Sequence, residues 1–479
     1  MKRRSLLCRL TALLLLFLWV AQPGLAWAQT STPPSNPQTR SPQAITSGLN
    51  FPTFVQVINS PYAKDAPSST AQTNSVLQYG NLLVGNAGTS GTLAKTVVQL
   101  NPNSPATATL LASNLATPLA LRFWDNGSPI LLKDGSLTFD SSGRVTALTT
   151  GSSTLVRVSD GTTSAAGTLS SLGTLSNLNS GSAALAVVDT QTFYVGAKNK
   201  LSAHTTTASG SSNPNIAIPG SDTISAPLDM AYTPYGGAGE PGTGTLYVLD
   251  SGSSLKIFNV VRQGTSASSY QSYKAIQTAN ITANLSNPVS LQLQKSNNHL
   301  WVANRGDGSI VELDANGGLV RKITTTLGGS QLWGLAFSET QQNTVETLYL
   351  TTTGGVGVTP SSAPQGKLMR LVLTPFEVVD PLPGVTTTVD VAGPLLMRFN
   401  QPVDARTLTN QVVTLSSASG QSVAVGLSLS APDVLSVVPL APLTGEQTYT
   451  LTVRPGLADV YGNTLVQPFA ASFRARAAV

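Results

Sequence analysis

Leu300-Trp301-Val302-Ala303-Asn304, a turn through Gly306-Asp307-Gly308, and then Ser309-Ile310-Val311-Glu312-Leu313 form the stretch that decides the fold. Two short runs rich in β-branched and aromatic residues, separated by Gly and Asp, predict a β-hairpin. Pro288-Val289-Ser290-Leu291-Gln292-Leu293 precedes them and reads as a third strand. So small a sheet cannot bury its own two faces, and it needs neighbours of the same kind.

The same pattern recurs around Leu83, Leu131, Tyr194, Tyr247 and Tyr349; counted through Trp301, the steps are 48, 63, 53, 54 and 48 residues. A unit of about 50 residues with several short strands is the size of a propeller blade, and about six such units close into a ring. The Trp301 unit resembles NHL-type repeats and related six-bladed propellers, with the other units as degenerate copies, over roughly Phe51 to Thr374. That resemblance implies fold more than function. Closure is expected to place Phe54-Val55-Gln56-Val57-Ile58 beside the last blade.

The tail reads differently. Leu395 to Asp404, Pro439-Leu440-Ala441-Pro442-Leu443, Tyr449-Thr450-Leu451-Thr452-Val453 and Gly456 to Leu465 are alternating strands and turns within a segment of sandwich length. Together they resemble the bacterial SbsA-type Ig-like domain, whose relatives commonly occur in cell-surface proteins. Asp459 to Asn463 reads as a tight turn within it. The expected fold class is therefore all-β, a six-bladed β-propeller plus a C-terminal Ig-like β-sandwich.

Lys2, Arg3, Arg4 and Arg9, the apolar run Thr11 to Ala21, and Ala26-Trp27-Ala28 have the layout of a signal peptide. The expected organisation is a signal peptide over 1–28, a Ser/Thr/Pro-rich flexible linker over 29–50, a propeller over 51–374 and an Ig-like domain over 375–479. An exported chain is then expected in the periplasm, at the cell surface or outside the cell, with no transmembrane segment after cleavage. Cys8 is the only cysteine and lies in the leader, so no disulfide-linked oligomer, thiol nucleophile or Cys-based metal site is expected.

Four of the 27 basic residues lie in the leader, leaving 23 against 22 acidic ones. With 10% charged residues and so even a balance, the electrostatic footprint that nucleic acid requires is missing. The expected partner is a protein or a glycan.

Candidate sites are few. His204 and His299 are the only histidines; His299 follows Asn297 and Asn298 and reads as a solvated turn residue, and His204 lies in a Thr/Ser-rich stretch. Neither H-E-x-x-H, G-x-S-x-G nor a phosphate-binding G-x-x-x-x-G-K is present. No catalytic residue is assigned, although Asp229, Asp250, Asp307 and Asp314 are the acids that a ring would have to bring together for glycosidase chemistry.

Propellers of the gluconolactonase type hold a divalent cation in the central channel, and on that likeness Asn86, Asp229 and Asn304 are candidate metal ligands. The competing explanation is that Asn and Asp simply favour turns. No other cofactor is expected. Arg305-Gly306-Asp307 is a tripeptide that integrins read in some ligands, here on a hairpin turn. Tyr194, Tyr247, Trp301 and Tyr349 recur at one repeat position and are expected to pack between blades.

These features favour a non-enzymatic exported protein, with the propeller as an interaction platform and the Ig-like module as spacer or docking element. The alternative is a propeller enzyme, either a metal-dependent lactonase or a polysaccharide hydrolase or lyase.

Overall fold

The computed structural model describes residues 38–59, 63–67, 77–89, 91–113, 115, 120–123, 129–139, 145–158, 169–174, 184–188, 192–197, 199–205, 216–235, 243–262, 273–329, 331–338, 346–354, 362–381, 388–465 and 467–476. The leader expected over 1–28 lies outside the described residues. Among the described residues no helix is long and apolar enough to cross a membrane.

Six antiparallel sheets follow one another along the chain among these residues. The first is Pro52–Val57, Leu82–Asn86, Thr96–Leu100 and Thr109–Ala112. The second, Ala120–Phe123, Pro129–Phe139, Val145–Val158 and Leu169–Thr174, has two long central strands whose pairing continues past the sheet as a ribbon from Gly135 to Thr150. The third is Ala184–Val187, Thr192–Ala197, Lys200–Thr205 and Ile216–Ile218; the fourth is Pro227–Pro234, Gly244–Asp250, Ser254–Arg262 and Tyr273–Ile281. Pro288–Gln294, His299–Asn304, Ser309–Leu313 and Leu319–Thr325 make the fifth, and Leu332–Ser338, Thr347–Thr352 and Gly366–Val372 begin the sixth.

Each sheet's first strand lies beside the first strand of the next, and Leu332–Ser338 of the sixth lies beside Pro52–Val57 of the first. That ring of inner strands is a closed β-propeller.

Pro52–Val57 lies beside the last blade as expected, as the inner strand of the first. The strand that completes the sixth blade is a further one, Gln43–Leu49, paired antiparallel with Gly366–Val372. Gln38–Arg40 adds in parallel to the rim of the fifth blade at Ile323–Thr325. The flexible linker expected over 29–50 therefore gives way to strand from Gln38 onward. Composition hid it because an outermost strand contributes main-chain hydrogen bonds to an open edge and needs few apolar side chains; of Gln43–Leu49, only Leu49 is fully buried.

The recurring aromatics hold neighbouring blades together. Tyr194 shares an apolar cluster with Met230, Tyr232 and Val248 of the following blade, and Tyr247 does so with Leu291, Leu300 and Val302. Trp301 is grouped with Leu332, Leu335 and Phe337, stacking on Phe337 at 5.8 Å, and Tyr349 with Val55, Val57, Leu82 and Val84 of the first blade. In four of the six units one large ring thus fills the wedge between adjacent sheets, where burying apolar area supplies most of the stabilisation.

The tail is a sandwich. One sheet orders Val378–Pro381, Leu395–Phe399, Val434–Pro439 and Val425–Ala431; the other orders Thr388–Val389, Phe469–Ala475, Thr448–Val453, Val413–Ser417 and Ser422–Val423. Their inner faces share one core in which Phe376 stacks on Phe399 at 5.0 Å. The Asp459 turn has Asp459 Oδ1 accepting from the Tyr461 and Asn463 N–H groups, both at 2.8 Å. This turn meets the propeller: Arg40 Nη1 donates to Asn463 Oδ1, and the Arg370 guanidinium lies 4.6 Å over the Tyr461 ring.

Candidate functional site

The channel end where the inner strands begin is filled. Phe51 and Trp333 meet edge to face at 5.1 Å, Ala87 and Leu228 pack on them, and the Arg305 guanidinium lies 4.4 Å over the Trp333 ring. Phe51 and Ala87 belong to the first blade, Leu228 to the fourth, Arg305 to the fifth and Trp333 to the sixth, so the plug spans the axis.

Around that end a side-chain pin repeats. Asn86 Oδ1 accepts the Asn50 N–H at 3.2 Å, Asp250 Oδ2 the Ser225 N–H at 2.8 Å, and Asn304 Oδ1 the Ser286 N–H at 3.1 Å. Every donor stands two residues before the proline that opens an inner strand, and Pro52, Pro227 and Pro288 face Asn86, Asp250 and Asn304 across the ladder. A buried loop must satisfy its N–H groups, and in the first, fourth and fifth blades one Asn or Asp does so. The amides of Asn86 and Asn304 also donate to Thr96 Oγ1 at 3.4 Å and Ser309 Oγ at 3.0 Å.

In the fourth blade the pin is a carboxylate. Burial alone would raise Asp250, but the Lys256 ammonium, the Ser225 and Ala226 N–H groups and the Ser225 hydroxyl together hold it below the usual carboxylate range.

Asp229 sits elsewhere, on the inner strand. Its Oδ1 pairs with Arg122 of the second blade and its Oδ2 accepts the Leu291 N–H at 2.9 Å and the Ser290 hydroxyl at 3.2 Å. Asn86, Asp229 and Asn304 thus share no hydrogen-bond partner, and each is engaged by its own neighbours. Nor do the other acids converge. Asp307 accepts from Ser309 and Lys322, and Asp314 closes an Asx turn on the Asn316 and Gly318 N–H groups. Among the described residues no group of three His, Cys, Asp or Glu stands where it could hold a metal.

His204 lies in the strand Lys200–Thr205 opposite Phe193. His299 is half-buried rather than a solvated turn residue: its Nδ1 is 2.6 Å from Glu312 Oε1, and Glu312 Oε2 accepts from Arg321 Nε at 2.9 Å. Arg321 in turn covers the Trp301 ring at 4.9 Å, and Trp301 Nε1 donates to Gln294 Oε1 at 2.9 Å. The hairpin register, Leu300 opposite Leu313 and Trp301 opposite Glu312, was the signal that would have put His299 beside Glu312.

Arg305 of the Arg-Gly-Asp tripeptide is 1% exposed beneath Trp333. A receptor that must grip both ends of the tripeptide finds the guanidinium inside the plug.

Beyond the plug, the later halves of the inner strands surround a cavity of about 530 Å³. Gln56, Asn59, Gln292 and Asn298 bring amides to it, Arg122 and Lys295 bring cations, and Val187, Leu291 and Leu293 give it apolar wall. No carboxylate lines it among the described residues. Arg122 is neutralised by Asp229, whereas Lys295 has no ion-pair partner among the described residues. Such a wall offers hydrogen-bond donors, acceptors and an ammonium group.

Residues 373–475 match the family model of the bacterial Ig-like domain. No curated protein matches the chain. Among solved structures, the calcium-binding protein regucalcin from Agrobacterium tumefaciens is 15% identical with a TM-score of 0.42, covering 70% of this chain and 95% of its own. The β-propeller domain of Cps50 (Swd1) from Myceliophteria thermophila is 9% identical with a TM-score of 0.39, covering 68% of this chain and 99% of its own. A streptogramin B lyase is 11% identical with a TM-score of 0.36, covering 70% and 97%. The propeller assignment rests on the strand pairing and closed ring rather than on these likenesses.

Proposed function

We propose that the protein is an exported, non-enzymatic binding protein of the bacterial cell envelope or surroundings, in which the propeller channel receives a ligand and the Ig-like domain is a docking module. The observation that carries this reading is the channel lining, where amides and an ammonium stand, among the described residues, without a carboxylate to act as acid or base. Support for location comes from the Ig-like domain, a type typical of surface proteins, and from the leader expected over 1–28. Contact between the Asp459 turn and the propeller favours docking over a freely swinging spacer.

The test has three readouts on the full chain: fractionation of the producing cell, elemental analysis of purified protein, and activity screening on lactones and envelope polysaccharides with and without chelator. Export, metal-free protein and no turnover, together with co-sedimentation on envelope polymers, are expected. Retention in the cytosol, or chelator-sensitive turnover, would overturn the reading in favour of a propeller enzyme.

A further inference from the structure

We infer that the cavity formed by the later halves of the inner strands is a binding site for the end of a short acidic saccharide, with Lys295 receiving its carboxylate. This deepens the binding reading above and rests on it. The volume of about 530 Å³ falls within the range of small-molecule sites and accommodates about two sugar rings. Three properties of the wall select the chemistry.

The first is the amide content. Gln56, Asn59, Gln292 and Asn298 come from the first and fifth blades, and none of the four is fully buried. Each presents a carbonyl acceptor beside an NH₂ donor, the pairing that vicinal sugar hydroxyls match.

Charge is the second. Of the two cations lining the cavity, Arg122 is held by Asp229 and by the Leu121 and Met230 carbonyl oxygens, at 2.9 and 3.3 Å. Lys295, exposed on the turn after the fifth inner strand, has no ion-pair partner among the described residues and is open to an incoming anion. An ammonium on a flexible stem suits a carboxylate whose position varies, and does not require a bidentate fork.

The third is what is missing from the wall. Without a lining carboxylate among the described residues, nothing repels an anion and nothing supplies the oxygen cage that a divalent cation needs. A neutral sugar would use the amides but leave Lys295 unanswered, so the acid group is the discriminating feature.

The experiment is calorimetric titration of the full-length exported protein with digalacturonate, and with galactobiose as the neutral partner of the same size. Digalacturonate is expected to bind, more weakly as salt rises, with galactobiose at least roughly tenfold weaker. Lys295→Met is expected to reduce digalacturonate affinity roughly tenfold while leaving the melting temperature unchanged, Lys295→Arg to retain most of it, and Gln292→Ala to weaken both sugars. Equal binding of the two sugars, or a Lys295→Met variant that binds digalacturonate as wild type does, overturns the assignment. Absence of digalacturonate binding with co-sedimentation on envelope polymers intact removes this site alone; loss of both removes the binding reading as well.

Discussion

Arg40 Nη1 donates to Asn463 Oδ1 at 2.7 Å and to the Val372 carbonyl oxygen at 3.0 Å. One guanidinium thereby ties the strand added at the fifth blade, the end of the sixth blade and a turn of the Ig-like domain. Burial, ahead of the nearby Arg321 charge, holds its pKa below the ordinary arginine value.

Arg40→Ala should cost roughly 2 kcal/mol, the scale of a partly buried charge-assisted hydrogen bond. Denaturant unfolding measures the loss. Limited proteolysis should then cut near residues 38–49 before the ring itself opens; a cleavage pattern identical to wild type would show that Arg40 does not hold that strand.

Asp250→Asn should be worse, about 3 kcal/mol or more, because it leaves the Lys256 ammonium buried without its counter-charge. Its pH signature has a definite sign. A folded-state pKa below the unfolded value of about 3.9 gives stability that is complete above that value and fades as pH falls through the folded one. Asp459 acts the other way: burial outweighs its bonds to Asn463 and Tyr461 and pushes its carboxyl up, so its contribution weakens as pH rises through the raised value. Unfolding curves collected from about pH 6 to about pH 2.5 should show a shallower acid loss in Asp250→Asn than in wild type.

Gly308→Ala tests the hairpin turn. Gly308 has φ of +70°, and a Cβ there would stand 2.0 Å from the Leu327 carbonyl oxygen. A strained backbone and a contact with main chain predict a loss of roughly 2 kcal/mol or more, read as a drop in melting temperature. By contrast Asp307→Ala should leave cell adhesion unchanged, because Arg305 remains enclosed under Trp333.

Replacing residues 136–149 with a tight Asn-Gly turn should leave the ring intact. Beyond Lys133 and Thr154 the two long strands of the second blade pair only with each other among the described residues. The expected change in melting temperature is small, within about 4 °C; a collapse of the propeller would show that the ribbon is part of its packing.

That ribbon also explains a sequence feature. The step of 63 residues from Leu131 to Tyr194 is the longest of the series, and the extra length is the extension from Gly135 to Thr150. Strand identity and the packing role of the aromatics were legible because both follow from local alternation and repeat spacing. Gln38–Arg40 and Gln43–Leu49 were not, since edge strands are recognised by the ladder they join. The Arg122–Asp229 pair joins residues 107 positions apart on different blades, and only the closed ring brings them together. Asn86 and Asn304 end equivalent strands in two blades, and the proline two residues after each partner N–H shows what that position does.

The aromatic stopper made by Phe51, Trp333, Leu228 and Arg305 has a kinetic consequence. With these described side chains corking one end of the axis, a guest of the cavity would come and go by the door at the other. A bulky partner seated over that door would lock a small guest inside, so the guest's residence time would be set by how long the larger molecule stays.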